Sequence, residues 1–337
     1  MGRTVESKDP IEVGNNDHRY RVVADWPHLP EEVTIQEVVA AACNRAGQVF
    51  LFNRGSHPIL IFDPCGKLVD SIADFPTARP HGITVGPDDT IYCVDDFDHT
   101  VKVLSPSGQR LRTLGTSGQF SDTGAVTIDY RTIKHAGPPF NYPTNLAIAA
   151  SGELYIADGY GNARIHRFSP EGNLIDSWGD SGEGPGQFQV PHGIAISPEE
   201  IVYVADRENN RIQRFDLQGQ FIDQWTDVVR PTEVFVTDDS TVYVSELGAR
   251  AGRWPGWPDA PTGAIGGRLS IFNSDGELLA RWGGGDDPCA PGDFFAPHDV
   301  SVDCCGDIYV SEVVWSAGAN KGAVSPQCHT IQKFSRM

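Results

Sequence analysis

Three histidines occupy the same place in repeated stretches of this sequence. His81, His192 and His298 each follow a proline at the start of an apolar run, and a tyrosine comes eleven residues after each of them. One such histidine is more often structural than a metal ligand, but three in equivalent places are harder to explain that way. Three neutral imidazoles around an open fourth position form a typical catalytic zinc site. The pattern predicts a metal centre, and the lack of a carboxylate or thiolate at matching positions favours zinc.

The segments that carry the histidines repeat about every 40 residues. Each contains two apolar runs, the second holding an aromatic residue, and then one or two further runs, which predicts three or four short strands. Six repeats fit this spacing. We call the residue eleven places before the aromatic the channel position, and it is occupied in turn by Val39, His81, Thr144, His192, Thr232 and His298.

Six such units predict an all-β fold, a six-bladed β-propeller. The channel position should then begin the innermost strand of each blade, beside the central channel. Histidine occupies it in every second unit. Pseudo-sixfold symmetry would therefore bring the three imidazoles together on one axis.

Polar residues after the second strand of three units indicate a pocket at one end of the channel. Arg54 and Arg207 lie four residues after the second-strand aromatic residue, and Tyr160 lies five residues after it. A guanidinium offers two parallel donors to a carboxylate, and a phenol beside a cation and a metal can act as a base. A plainer interpretation is that Arg207 and Tyr160 are loop residues that pair with Asp206 or Asp158.

The charge of the chain limits the classes of partner. Lysine and arginine number 26 against 45 aspartate and glutamate residues, which gives a net charge of −19. Nucleic acids and anionic membrane surfaces need a basic patch, so neither is predicted as a partner. The first residues lack the apolar core of a signal peptide and no later run approaches transmembrane length, which predicts a cytoplasmic protein or one whose leader was removed. The sequence indicates no particular oligomeric state.

One propeller domain is predicted over residues 18–337, after a disordered polar tail over residues 1–17. The run from His18 to Trp26 is predicted to form a strand that completes the last blade, because a ring needs a contact between its ends. The seven cysteines include no CxxC pair, which predicts mostly reduced thiols.

Three long loops interrupt the repeats, at residues 115–140, 247–267 and 313–328. Loops of this length in a compact fold are usually functional or mobile. The last two carry Trp254, Trp257 and Trp315. These tryptophans are expected to cover the channel.

Several runs of the sequence resemble one family of propeller enzymes. YPTNLAIAASGELYIADGYGNARIHRFSPEGNLIDSWG, VADRENNRIQRF and APHDVSVDCCGDIYVSE are similar to the lyase domain of peptidyl-glycine α-amidating enzymes, the peptidyl-α-hydroxyglycine α-amidating lyases. The resemblance covers roughly residues 36–334. The resemblance implies an all-β, six-bladed β-propeller built from NHL-like repeats, although NHL repeats in general share the fold without the three histidines. The resemblance implies a propeller whose zinc ion is held by His81, His192 and His298.

The resemblance also implies a reaction and a small-molecule carbinolamide as partner. R-CO-NH-CH(OH)-COO⁻ would be cleaved into an amide and glyoxylate. Zinc would make the substrate hydroxyl more acidic, Tyr160 would accept its proton, and the C–N bond would break as the aldehyde forms. The catalytic residues implied are Tyr160 and Arg54, which matches an essential arginine of the family, and Arg54, with Arg207, would bind the carboxylate and hold the hydroxyl in place.

A structural calcium ion in the channel belongs to the same resemblance. It would be bound by the backbone carbonyls of Ala41 and Ile83, each two residues past the channel position, and by the carboxylate of Asp299. The sequence departs from the family at Gly161, where the family has a half-cystine, and at Ala296, where it has a methionine. With the tryptophan loops, these changes favour a smaller amide or ureido group than a peptide.

Two other functions stay open on the sequence alone. A metal-dependent lactone or ester hydrolase could use the same ring, although such enzymes usually hold calcium with carboxylates and amides. A non-enzymatic NHL propeller could bind a protein at its rim. The basic face that such propellers use for RNA is missing at a net charge of −19.

Overall fold

Short runs of β-branched and aromatic residues form the strands of this protein, whose computed structural model describes residues 10–337. The strands form six sheets, five with four strands and one with five, and neighbouring strands are antiparallel. Each repeat of the sequence supplies one sheet. The predicted all-β class and the six-bladed β-propeller are therefore confirmed.

The strands follow the blades in chain order. Two strands precede the first blade: Glu12–Asn15 (β1) and His18–Val23 (β2). Blade 1 contains Val38–Cys43 (β3), Val49–Asn53 (β4), Ile59–Phe62 (β5) and Leu68–Ile72 (β6). Blade 2 contains Pro80–Val85 (β7), Ile91–Asp95 (β8), Thr100–Leu104 (β9) and Arg110–Leu114 (β10). Blade 3 contains Pro143–Ile148 (β11), Leu154–Asp158 (β12), Arg164–Phe168 (β13) and Leu174–Trp178 (β14).

The second half of the ring repeats the pattern. Blade 4 contains Pro191–Ile196 (β15), Val202–Asp206 (β16), Arg211–Phe215 (β17) and Phe221–Trp225 (β18). Blade 5 contains Pro231–Val236 (β19), Val242–Glu246 (β20), Arg268–Phe272 (β21) and Leu278–Gly283 (β22). Blade 6 contains Pro297–Val302 (β23), Ile308–Glu312 (β24) and Ile331–Arg336 (β25). The short helices are Val314–Ala317 (α1) and the 3₁₀ turns Tyr130–Thr132, Arg207–Asn209 and Ala319–Lys321.

The two ends of the chain close the ring. β2 pairs with β25, so the sixth sheet has the order β1-β2-β25-β24-β23, which confirms the strand predicted from His18 onward. The predicted disordered tail is too long, because Glu12–Asn15 pairs with β2 in a hairpin whose turn includes Asn16 at a φ of 49°. Residues 1–9 of that tail lie outside the described residues.

Apolar side chains from adjacent blades meet between the sheets. Ala157 and Ile165 of blade 3 and Val204 and Phe215 of blade 4, all fully buried, belong to one such cluster. Each blade therefore buries its faces against its neighbours, and no blade has a core of its own.

The three long loops lie where the sequence places them. The first joins blades 2 and 3, the second joins β20 to β21, and the third joins β24 to β25 and contains α1. We call them the first, second and third loops. Among the described residues, no helix has the length and hydropathy that crossing a membrane requires.

One pair of cysteines departs from the expectation of reduced thiols. Cys289 and Cys328 form a disulfide that ties the third loop to the segment before β23. Their Cα atoms lie 4.9 Å apart, within the range of a disulfide. Such bonds are typical of oxidising compartments, so the cytoplasmic location stays a prediction. The free cysteines are Cys43, Cys65, Cys93, Cys304 and Cys305.

Candidate active site

The three histidines lie one residue into the innermost strands of blades 2, 4 and 6. The pairing register with the neighbouring strand shifts at this residue, and an irregularity of this kind re-aims a side chain. The structure brings the rings of His81, His192 and His298 together, with ring centroids 4.8, 4.7 and 4.7 Å apart. One nitrogen from each lies within 4.8 Å of the others, and all three residues are buried.

Each imidazole is oriented by the backbone of the next blade. Nδ1 of each ring lies 2.7 Å from the carbonyl oxygen of a channel-position residue: Thr144 for His81, Thr232 for His192 and Val39 for His298. A carbonyl only accepts, so Nδ1 carries the proton and the Nε2 lone pair is free. Burial, followed by nearby cationic groups, lowers the pKa of all three rings, that of His298 to about 3. The rings are therefore neutral, the form that binds metals.

The hydroxyl of Tyr160 faces the histidines. Its oxygen lies 3.2 Å from Nε2 of His81 and 3.1 Å from Nε2 of His192. Nη1 of Arg207 donates to the same oxygen over 3.2 Å. A phenol, two imidazole nitrogens and a guanidinium thus meet at one buried point.

Close backbone packing fixes the segment that carries Tyr160. A Cβ on Gly159 would lie 2.2 Å from the carbonyl oxygen of Pro191, so only glycine fits there. On the other side of the tyrosine, the Gly161 carbonyl accepts a hydrogen bond of 2.5 Å from the hydroxyl of Thr123 in the first loop. The first loop therefore helps to hold the phenol in place.

The two predicted arginines lie on the same side of the triad. Arg207 is only 5% exposed, and its guanidinium carbon lies 5.2 Å from the centre of the Tyr160 ring. Arg54 is half-buried, donates through Nε to the carbonyl of Pro80 over 3.1 Å and contacts the hydroxyl of Ser316 at 3.3 Å. Both have donors at the cavity described next.

The plainer interpretation of these loop residues is wrong. Asp206 accepts from Nε of Arg211 at 2.7 Å, and Asp158 contacts Nε2 of His166 at 3.1 Å. Each aspartate therefore contacts a side chain of its own blade, whereas Tyr160 and Arg207 face the channel.

A cavity of about 380 Å³ lies over this end of the channel. Tyr160 and His298 lie in its floor, and all three long loops contribute to its wall. Trp254 of the second loop lines it and is buried. Trp257 packs behind as part of the same apolar cluster, whereas Trp315 is 45% exposed and does not line the cavity. Of the three tryptophans expected to cover the channel, only Trp254 lines the cavity.

The cavity wall is cationic although the protein carries a net charge of −19. Sequence reasoning missed three of its members, Arg79, Arg253 and Lys321. The guanidinium carbon of Arg79 lies 5.7 Å from the centre of the Tyr160 ring. Arg79 stands two residues before His81, and that adjacency was the available signal. Asp129 is the only acidic residue among those that line this cavity. Its cationic residues are Arg54, Arg79, Arg207, Arg253 and Lys321.

A second polar cluster lies one residue further along the innermost strands. Asp299 accepts a hydrogen bond of 3.2 Å from the backbone nitrogen of Ala41. Glu233 accepts one from the side-chain amide of Asn145 and another, of 3.0 Å, from the backbone nitrogen of Val234. All of these residues, together with Ile83, line a cavity of about 260 Å³. The predicted calcium residues are thus brought together.

Burial disfavours the charged forms of the two carboxyl groups in this second cluster. It raises the pKa of Glu233 to about 8, and burial and then the charge of Glu233 raise the pKa of Asp299 well above its usual value. Two carboxylates so close favour a bound cation. The sequence interpretation missed Glu233 and Asn145, although both directly follow a channel position.

Two segments of the chain match the NHL repeat, residues 140–168 and 188–215. They contain the first three strands of blades 3 and 4. The sequence pattern and the matched family therefore identify the same repeat unit.

Curated relatives match a little over half of the chain. Human NHL repeat-containing protein 3 is 29% identical over 201 residues, 56% of this chain and 54% of that protein. Mouse peptidyl-glycine alpha-amidating monooxygenase is 36% identical over 230 residues, 57% of this chain and 22% of that protein. Peptidyl-alpha-hydroxyglycine alpha-amidating lyase 1 of Drosophila melanogaster is 28% identical over 229 residues, 58% of this chain and 40% of that protein. The chain thus spans about half or less of the length of these relatives.

Solved structures share the fold at low identity. A gluconolactonase from Xanthomonas campestris superposes with a TM-score of 0.61 at 15% identity, covering 98% of this chain and 95% of that one. A streptogramin B lyase superposes with a TM-score of 0.58 at 14% identity, covering 90% and 95%. These likenesses concern the fold alone. The blade order shows a six-bladed β-propeller, and two of its blades contain segments that match the NHL repeat.

Proposed function

We propose that this protein is a zinc-dependent lyase that cleaves the C–N bond of an α-hydroxyglycine-type carbinolamide to an amide and glyoxylate. One observation carries the proposal. The hydroxyl oxygen of Tyr160 lies within 3.2 Å of Nε2 of His81, Nε2 of His192 and Nη1 of Arg207. Relatives named as amidating lyases support the class of reaction.

The donor set fits a catalytic zinc ion. His81, His192 and His298 would hold it through Nε2, because each Nδ1 is committed to a carbonyl. Three nitrogen ligands leave a position for substrate. When bound, zinc supplies a Lewis acid that makes a substrate hydroxyl more acidic.

The side chains of this site account for the proton and the carboxylate. Tyr160 acts as the base in its phenolate form, which the charge of Arg207, 3.2 Å from the phenol oxygen, stabilises, and it becomes the phenol when it accepts the proton of the substrate hydroxyl. The electron pair left on the substrate oxygen forms the C=O bond of glyoxylate as the C–N bond breaks. The amide nitrogen leaves with the electron pair of the C–N bond and takes the proton back from Tyr160. No water is consumed, and Arg54 with Arg207 binds the carboxylate throughout.

A calcium ion in the second cluster belongs to the same proposal. The carboxylate of Asp299 and the carbonyls of Ala41 and Ile83 would bind it, and Glu233 and Asn145 would add oxygen ligands from the same cavity. Calcium prefers six to eight oxygen ligands, including carboxylates, amides and backbone carbonyls. Its role there would be structural, because it would neutralise two buried carboxyl groups.

Metal content and glyoxylate release test the proposal together. Protein purified without added metal should contain about one zinc ion per chain. It should release glyoxylate from α-hydroxyhippurate or ureidoglycolate. His192→Ala should lose both zinc and activity, whereas His28→Ala, at an exposed histidine, should keep both. Absence of a bound transition metal, or turnover that His192→Ala leaves intact, would contradict the proposal.

A metal-dependent lactone or ester hydrolase is the second candidate. The carboxylate and amide layer of Asn145, Glu233 and Asp299 favours it, since such oxygen ligands suit calcium. The fold is shared with a gluconolactonase. Calcium-dependent turnover of a lactone that survives His192→Ala and is lost in Glu233→Gln would select this candidate.

A further inference from the structure

Each of the two predicted arginines is held by a buried glutamate. Oε2 of Glu37 lies 2.8 Å from Nη1 of Arg54, and Oε1 of Glu208 lies 2.8 Å from Nε of Arg207. Glu37 is 1% exposed, and the side chain of Glu208 is also 1% exposed. Both contacts use one edge of the guanidinium and leave other donors for the cavity.

Glu37 contacts a long loop directly, whereas Glu208 is linked to one through Arg230. The second oxygen of Glu37 accepts a hydrogen bond of 2.7 Å from the backbone nitrogen of Ser316, in the third loop. Glu208 accepts from Nη2 of Arg230 at 3.0 Å and from its Nε at 3.1 Å.

Arg230 in turn fixes the second loop. It is 3% exposed and donates to the carbonyls of Ala251 and Gly252, each at 2.9 Å. These residues directly precede Arg253 and Trp254 in the cavity wall. The third loop is thus linked to Arg54 through Glu37, and the second loop to Arg207 through Glu208 and Arg230.

Charge keeps these links intact. Burial acts to raise the pKa of Glu208, but Arg207 and Arg230 outweigh it and hold that pKa below its usual value. A buried carboxylate is stable only while its cationic partners stay in place. Movement of the second loop away from the cavity would take the carbonyls of Ala251 and Gly252 from Arg230, which would then hold Glu208, and through it Arg207, less firmly.

We propose that Glu37 and Glu208 are positioning residues, each of which couples the closure of one loop to the placement of one cavity arginine. The third loop governs Arg54 and the second loop governs Arg207. The effect on substrate rests on the proposed lyase function, in which these arginines bind the carboxylate. The coupling of glutamate to loop does not depend on that function.

Two variants, Glu208→Gln and Glu37→Gln, separate the loops when limited trypsin digestion is followed by mass spectrometry. Loss of one charge-assisted hydrogen bond should increase local opening about tenfold or more. Glu208→Gln should speed cleavage after the exposed Arg250 by that factor and leave cleavage after the exposed Lys321 unchanged. Glu37→Gln should do the reverse.

Glu153→Gln is the control, because Glu153 makes a comparable pair with Arg167 at 2.8 Å in blade 3, away from the cavity. It should change neither cleavage rate. If both loops open alike in either variant, or neither opens, the coupling is wrong. If Glu208→Gln fails to fold, Arg230→Lys can replace it. That variant loses the paired guanidinium hydrogen bonds to the carbonyls of Ala251 and Gly252 and should loosen only the second loop.

Kinetics supply the second arm of the test. Glu37→Gln should raise the KM for α-hydroxyhippurate about tenfold with little change in kcat, because in the proposed reaction Arg54 binds the carboxylate and is not among the hydrogen-bond partners of the Tyr160 hydroxyl. Glu208→Gln should raise KM and also lower kcat, because Arg207 touches the Tyr160 hydroxyl. Unchanged KM in both variants would overturn the positioning role. If the unmodified protein released no glyoxylate, the lyase proposal would fail, and the digestion arm would still decide the coupling.

Discussion

The hydroxyl oxygen of Tyr160 lies 3.1 Å from Nε2 of His192, although the two residues belong to different blades and lie 32 positions apart in the sequence. The phenol therefore occupies the side of the histidine triangle that the cavity faces. A base at this point is within hydrogen-bonding reach of a hydroxyl bound beside the triad.

Replacing Tyr160 with Phe should abolish most of the rate and keep the metal. The ring would still pack near Trp254 and Arg207, so the variant loses only the proton acceptor. General acid–base catalysis contributes about 10²–10⁴-fold, and kcat for glyoxylate release should fall by that range. Elemental analysis should find zinc unchanged. Normal turnover by this variant would refute the assigned role of the phenol.

Gly159→Ala should damage the site through its backbone. The new Cβ would lie 2.2 Å from the carbonyl oxygen of Pro191, the residue before His192. We expect about 1–3 kcal/mol less stability in denaturant unfolding and at least about a tenfold loss of kcat/KM. Gly137→Ala, where the added Cβ would meet nothing within 4 Å, should leave both quantities unchanged. Equal stability and equal kcat/KM in the two variants would show that the close contact between Gly159 and Pro191 does not matter for the site.

The stability of the metal-free protein should fall as pH rises. The pKa of Glu233 is raised from 4.5 to about 8, so the folded state keeps its proton over a range in which the unfolded state has lost it. The contribution of this carboxyl group to the free energy of unfolding should be greatest below about pH 4.5 and decrease by up to about 1.4 kcal/mol per pH unit until about pH 8.

Denaturant unfolding in chelator at several pH values, with Glu233→Gln as the comparison, measures this effect. The variant should show a flatter profile than the parent protein, and added calcium should restore stability most strongly near pH 8. If the free energy of unfolding of the parent protein varied with pH as little as that of the variant, Glu233 would ionise as readily in the folded protein as in the unfolded chain.

The disulfide between Cys289 and Cys328 should be detectable by thiol counting. With seven cysteines in the chain, denatured protein should expose five thiols before reduction and seven after it. Cys328→Ser should lower the free energy of unfolding by about 2–4 kcal/mol, whereas Cys65→Ser, at an exposed free thiol, should not. Seven reactive thiols before reduction would exclude the bond and favour a reducing compartment.

Much of the fold followed from one spacing. The eleven residues between the channel position and the second-strand aromatic defined six blades and the alternation of the histidines. The same spacing placed Arg54, Tyr160 and Arg207 at one end of the channel. Strand periodicity and turn chemistry are local properties, so they can be read from one sequence.

Long-range contacts were not predictable in the same way. Glu37 lies 279 positions from Ser316, and no local pattern joins them. The disulfide between Cys289 and Cys328 had no motif. Glu233 and Asn145 could have been found, because with Asp299 they place a carboxylate or an amide directly after three channel positions, but these residue types are not spaced regularly around the ring.

The outer strands of the last blade, β1 and β2, come from the start of the chain, so the ring closes late in biosynthesis. Nδ1 of His298 lies against the carbonyl of Val39, 259 positions earlier, so the third imidazole takes its place only after residues 39–298 have been synthesised. In the proposed enzyme, uptake of an ion by the three histidines would therefore accompany annular closure.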